Sequence, residues 1–234
     1  MSNWRVRGHG PISELESNLW EVEGEVPGMP MRRRMAVVRL GDGSLVVHSA
    51  ICLEEDAQRR LDAWGTVRYV IVPNGWHRLD APAYAERYPD ARILCPDPTR
   101  ARVSEKVRVD GNMSLIPSDP ALTCAPVAGT STHEQVLTVR SGEHTTLVFC
   151  DTVFNLPKLP GFKGWAYGAL GSTGAPKVTP IFRMAAVRDR RELGAELAML
   201  AATPALYRVI PGHGAIVEGA SAAPEVMRTV AATA

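Results

Sequence analysis

The sequence predicts an α/β protein, an αββα sandwich of two mixed sheets facing each other with helices outside. Two observations carry this expectation. Each half of the chain runs through meandering strands, then a helix, a buried strand and a Gly-rich loop. A sheet with an apolar face must be covered, and the helices that follow in sequence are the elements available to cover it. The length, 234 residues, suits one α/β domain spanning residues 1–234.

The elements follow in order. Asn18–Val26 partly alternates apolar and polar residues, a strand with one wet face. Met35–Leu40 and Ser44–Ser49 are β-branched runs around Gly41-Asp42-Gly43, which makes a hairpin. In Leu53–Trp64, Leu53, Ala57, Leu61 and Trp64 recur on one helical face, with Glu54, Glu55 and Asp56 in the first turn and Gly65 as the stop. Val67–Val72 is nearly all apolar, the pattern of a central strand, and runs into the turn-rich Pro73–His77. Asp80 before Ala81-Pro82 reads as an acidic N-cap for a helix ending near Tyr88. Arg92–Cys95, Leu122–Val127, Gln135–Arg140 and Thr145–Cys150 read as strands, the last two joined by Ser141–His144. Phe154–Pro180 has no clear period and reads as a long loop with one short helix, the kind of segment that is usually functional or mobile. Val187–Ala202 is a helix, Leu206–Ile210 a strand, and Ala223–Ala232 a closing helix.

Composition narrows the class. Hydrophobic residues make up 45% and charged residues 22%, which excludes a disordered chain, a coiled coil and a collagen-like rod. Lys and Arg number 26 against 25 Asp and Glu, a net charge of +1, so no nucleic-acid partner is expected. Cys52, Cys95, Cys124 and Cys150 form no CxxC pair and read as buried thiols of a reducing compartment. The N-terminal stretch has no leader-like apolar core, and no run approaches a membrane span. The expected protein is cytoplasmic, with no membrane partner. Arg32-Arg33-Arg34 reads as a solvated loop.

Four metal-type side chains lie at or near strand ends: His77, His133, Asp151 and His213. Imidazole and carboxylate are the usual ligands of catalytic zinc or iron, and loops at strand ends converge in α/β enzymes. Each also has an ordinary structural role open to it: His77 and His133 as loop histidines, Asp151 as a turn cap, His213 as a turn residue. His213 is the most suggestive, because Gly212 and Gly214 let the backbone approach something closely.

The order LGDGSLVVHS, VRYVIVPNGWH, TTLVFCDTVFN and YRVIPGHG resembles the metallo-β-lactamase fold superfamily, and most closely a branch whose histidine-rich loop is replaced by a Pro-Asn-x-x-His type sequence. The resemblance spans about Trp20–Gly214. It implies the αββα sandwich of that superfamily and a metal held at strand ends. Set on the superfamily's HxHxDH loop, Asn74 and Trp76 fall where the first two histidines would stand, and Arg78 and Leu79 at the acidic and last positions. His77 is the one ligand left there. His133 lies beyond Thr130, where the superfamily's separate histidine would fall, while Asp151 and His213 carry over directly.

Two functions of different kinds follow. One is a single-metal hydrolase of a small ester, amide or thioester. His77, Asp151 and His213, with His133 as a fourth ligand, would hold one zinc or iron ion, and Asn74, Trp76, Trp165 and Tyr167 would contact a small-molecule ligand. The other is a metal-free relative with no cofactor, acting as a binding or interaction module. An iron protein handling oxygen is a third. Trp165 and Tyr167 would, on the plainer reading, pack the long loop down.

Overall fold

The computed structural model describes residues 4–234. The first three residues of the N-terminal stretch read for a leader lie outside the described residues. In chain order the elements are β1 (Ser13–Glu16), β2 (Leu19–Glu25), β3 (Arg32–Arg39), β4 (Ser44–His48), α1 (Glu55–Trp64), β5 (Thr66–Ile71), α2 (Ala81–Arg87), β6 (Arg92–Leu94) and α3 (Arg100–Ser104). They continue with β7 (Leu122–Pro126), β8 (Gln135–Ser141), β9 (His144–Val148), β10 (Phe154–Asn155), α4 (Gly161–Ala169), α5 (Pro180–Ala186) and α6 (Arg190–Leu200). Last come β11 (Leu206–Ile210), β12 (His213–Gly214), β13 (Val217–Glu218) and α7 (Ala222–Ala231). The chain divides into two compact units.

The first unit comprises the stretch ending at Gly24 together with Arg34–Thr123. Its sheet runs β1-β2-β3-β4-β5-β6. β3 and β4 pair antiparallel around the Gly/Asp turn, and β5 and β6 then join in parallel. Val37, Leu45, Val47, Val70 and Ile93 of the sheet pack with Leu61, Tyr84 and Val103 of the helices in one core. Burial of such aliphatic side chains, at about 25 cal/mol per Å² of apolar surface, is the main driving force for this layer. Helix α1 carries Glu55 and Asp56 in its first turn, as its dipole favours, and Gly65 donates its N–H to the Leu61 carbonyl at its end.

Two local expectations need correction. The arginine run is not a solvated loop: it opens β3, with Arg33 4% and Arg34 8% exposed. Arg34 is neutralised by ion pairs to Glu21 and to Glu23, which makes its burial tolerable. Asp80 stands at the N-cap of α2 but makes no capping bond. Its carboxylate instead accepts the N–H of Cys52 at 3.1 Å and the guanidinium of Arg7 at 2.7 Å.

The second unit comprises Glu25–Arg33 and Cys124–Ala234. Its sheet runs β13-β11-β9-β8-β7, with β9 antiparallel to β8 and parallel to β11. A separate two-stranded pair, β10 and β12, runs parallel and sets Phe154 beside His213. The core joins Val136, Leu147, Phe149 and Val209 to Phe182, Leu193, Leu197 and Met227. Helix α6 begins later than the apolar pattern suggests, because Asp189 accepts the N–H groups of Arg191 and Glu192, both at 2.9 Å. The long segment after β10 contains α4 and ends at α5, whose Thr179 cap and Pro180 start it sharply. Among the described residues no helix is long and apolar enough to cross a membrane.

Candidate metal centre

In the second unit, Asp151 sits on the turn that follows β9, and that turn is held by a side chain from outside it. Glu134 is fully buried just before β8. One carboxylate oxygen accepts the N–H groups of Cys150 and Thr152, each at 3.0 Å, and the other accepts that of Asp151 at 2.8 Å. Burial, then the charge of Asp151, push the Glu134 carboxyl up to about 7, against the backbone donors that favour its ionised form.

His213 reaches the same place from β11 through Pro211-Gly212. A Cβ on Gly212 would stand 2.5 Å from the Cys150 carbonyl oxygen. Gly214 has φ +95, and its Cβ would stand 2.0 Å from the Asn155 carbonyl oxygen. The two glycines therefore allow a backbone approach that no other residue permits. The His213 ring is buried, stacked on Phe154 with centroids 4.8 Å apart. Its Nδ1 lies 2.6 Å from the Arg32 carbonyl oxygen. A carbonyl can only accept, so Nδ1 carries the hydrogen, and Nε2 presents its lone pair when the ring is neutral. That Nε2 lies 3.2 Å from the Asp151 carboxylate. A lone pair facing an anion is stable only with a cation, a proton or a metal ion, between or upon them.

This donor set fits a metal ion. A ligand histidine ordinarily donates its other ring N–H to a carbonyl or carboxylate, which fixes the tautomer. A mixed imidazole and carboxylate set suits zinc or iron. Glu134, Cys150 and Asp151 also offer ligand atoms within 4.8 Å of one another. That group is a poorer site: both Glu134 oxygens already serve the turn, and burial pushes the Cys150 thiol well up, away from the thiolate a metal needs.

Each of the other expected residues has local contacts of its own. In the first unit, His77 Nδ1 lies 2.9 Å from the hydroxyl of Ser49, a buried residue at φ +56. Asn74 is fully buried, and its side-chain oxygen accepts the N–H groups of Trp76 at 2.8 Å and His77 at 3.1 Å, so it builds the loop. Trp76 is half exposed. In the second unit, His133 is exposed at φ +47 and, with Ser131, Arg188 and Glu192, lines a cavity of about 520 Å³. It does not join Asp151 and His213 among the described ligand groups. Trp165 is exposed on α4, and the Tyr167 hydroxyl donates to the Met29 sulfur at 3.2 Å. Glu134 and Ser49 are not among the residues that the sequence singles out. A carboxylate directly before an apolar strand was the available signal for Glu134; nothing local marks Ser49.

The fold has known counterparts. A metallo-β-lactamase from Pontibacter korlensis matches 95% of this chain and 99% of its own, at TM-score 0.61 and 11% identity. One from Hirschia baltica matches 96% and 98%, at TM-score 0.61 and 12% identity. The metallo-β-lactamase FIM-1 from Pseudomonas aeruginosa, in a mono-zinc form, matches 95% and 96%, at TM-score 0.62 and 10% identity. The chain has the metallo-β-lactamase fold, the αββα class that its sequence predicts. No protein-family model matches the sequence, and no curated protein matches it. At these identities the likeness concerns fold, and chemistry must be argued from the site.

Proposed function

We propose that the chain is a single-metal hydrolase of a small ester, amide or thioester, with Asp151 and His213 as two ligands and His77 as the third. The observation that carries this reading is the His213 ring, anchored through Nδ1 to Arg32 with Nε2 turned on a carboxylate at 3.2 Å. His77 enters from its place in the order of sequence motifs, and the exposed His133 is left out of the donor set. When bound, a zinc or iron ion supplies Lewis acidity and a nucleophilic water near neutral pH. The chain's own work is to hold donors: Glu134 fixes the Asp151 turn, Arg32 fixes the His213 tautomer, and Phe154 fixes the ring plane. Trp76, Trp165 and Tyr167 belong to the proposal as substrate contacts on sequence position, as does the reading of residues 1–234 as one domain; Asn74, fully buried and bonded to its own loop, is instead the residue that shapes the Trp76 loop.

A second reading, a metal-free binding module, has one observation in its favour. Asn74 stands where a ligand histidine would, and its side chain is committed to its own loop. Elemental analysis of protein purified without chelators or an affinity metal separates the two. The hydrolase reading expects about one ion per chain, lost in His213→Ala and Asp151→Asn. Absence of metal from the parent protein, after incubation with zinc and with ferrous iron, overturns it.

A further inference from the structure

Between Asp151 and Asp189 the chain contains no aspartate or glutamate. The same stretch holds Lys158, Lys163, Lys177, Arg183 and Arg188, so it carries +5 in a chain of net charge +1. Everything outside it sums to −4. Half of the ten exposed large hydrophobic side chains among the described residues also lie here: Phe162 at 81%, Trp165 at 66%, Leu170 at 56%, Ile181 at 44% and Met184 at 89% exposed. Isolated exposed apolar residues are ordinary, but a concentration of them in one basic segment marks a surface that meets something.

Local packing turns these side chains outward. Gly164 is the buried residue of α4, so close to Leu159 that a Cβ would stand 2.2 Å from its carbonyl oxygen. The Tyr167 hydroxyl is held on Met29, and the Lys163 ammonium donates to the Gly28 carbonyl at 2.7 Å. Phe162 and Trp165, one turn apart, are left stacked on each other with centroids 5.8 Å apart. Helix α5 buries Phe182 and Ala186 and leaves Ile181 and Met184 exposed. The connection between the two helices is tied down: the Lys177 ammonium donates to the Gly171 and Thr173 carbonyls, each at 3.1 Å, and a Cβ on Gly171 would stand 3.5 Å from Pro180.

From this we infer that the exposed apolar side chains of α4 and α5 dock reversibly on a membrane surface rich in anionic phospholipid. Bulky exposed apolar groups in a segment with five cations and no acid are the chemistry that such an interface selects, the apolar side chains entering the headgroup layer and the segment's charge meeting that of the lipid. A second copy fits poorly, because a twofold contact sets five cations against five with no acid in the segment to relieve them. Nucleic acid fits poorly as well. Lys163, Lys177 and Arg183 are hydrogen-bonded to backbone carbonyls, so they act as diffuse charge rather than as fingers for individual phosphates. The expectation of no membrane partner rests on the lack of a spanning run, which a peripheral surface does not require.

Co-sedimentation of the full chain with phosphatidylcholine vesicles, with and without phosphatidylglycerol, tests this. Binding is expected only with the anionic lipid and should weaken as salt is raised. The double variant Phe162→Ser, Met184→Ser should bind at least roughly tenfold more weakly, with an unchanged circular dichroism spectrum. Lys158→Gln and Arg188→Gln should each cost roughly fivefold. Equal binding to neutral and anionic vesicles, or none to either, overturns the inference. So does a dimer, or binding to an oligonucleotide, that the Phe162→Ser, Met184→Ser variant abolishes.

Discussion

His213→Ala should remove bound metal and leave the fold largely intact. The ring meets Phe154 by stacking and Arg32 by one hydrogen bond, while the flanking backbone contacts belong to Gly212 and Gly214. Metal stoichiometry and melting temperature measured on the same preparation check this; a large fall in the variant's melting temperature, with no metal in the parent, assigns His213 to structure. Ser49→Ala should weaken zinc affinity by roughly 10–100-fold, the usual effect of freeing a ligand imidazole from its partner, and Ser49→Thr should restore part of it. Competition with a chromogenic chelator reads both. His48 gives a pH test. Its burial, then the nearby His77, hold its imidazole down to about 3 from an ordinary 6.5. The unfolded chain thus takes up a proton that the folded chain refuses, so the stability contributed by the neutral ring is present above about 6.5 and is lost as pH falls toward about 3. Urea midpoints of the parent should fall more steeply than those of His48→Asn over that window; parallel curves would refute the assignment. Side chains that carry chemistry at strand ends, Asp151 and His213, were legible in the sequence because residue type and flanking glycines are local signals. Glu134 and Ser49 were not, since what they do depends on partners 16 and 28 residues away.

At the scale of elements, the β10–β12 pair is the vulnerable one. Gly214 occupies φ +95 with the Asn155 carbonyl where a Cβ would be, so Gly214→Ala should cost about 1–3 kcal/mol and lower metal affinity together. Denaturant unfolding and metal titration read the two effects, and a variant as stable and as metal-competent as the parent would show that this close approach does not matter. Both strands are two residues long, too short for any hydrophobic period, which is why the sequence shows neither. The longer strands and helices announce themselves because their apolar spacing matches the faces they bury, as with Leu193 and Leu197 of α6. Boundaries followed capping chemistry more than periodicity, and Asp189 set the start of α6 inside the expected span.

For the molecule as a whole, the fold class was readable from the repeated order of strands and helices, because each apolar face demands a covering layer. The charge is unevenly spread: a net of +1 conceals a +5 segment within an otherwise acidic chain. Metal should act on the whole transition. Zinc at a hundredfold excess over its dissociation constant should stabilise the folded chain by about 2.7 kcal/mol, and a chelator should reverse the shift. Scanning calorimetry with zinc, with chelator and with neither checks it; three superimposable traces support the metal-free module.

The three backbone N–H bonds that Glu134 draws from the Asp151 turn bear on timing. A ligand-bearing turn already set by a buried carboxylate has no ordering left to do when an ion arrives, so capture by the Asp151–His213 pair should be a single encounter-limited event. Stopped-flow mixing with zinc should show one phase whose rate rises in proportion to zinc concentration. In Glu134→Ala, where the turn must find its shape anew, that rate should level off as loop closure becomes the slow step.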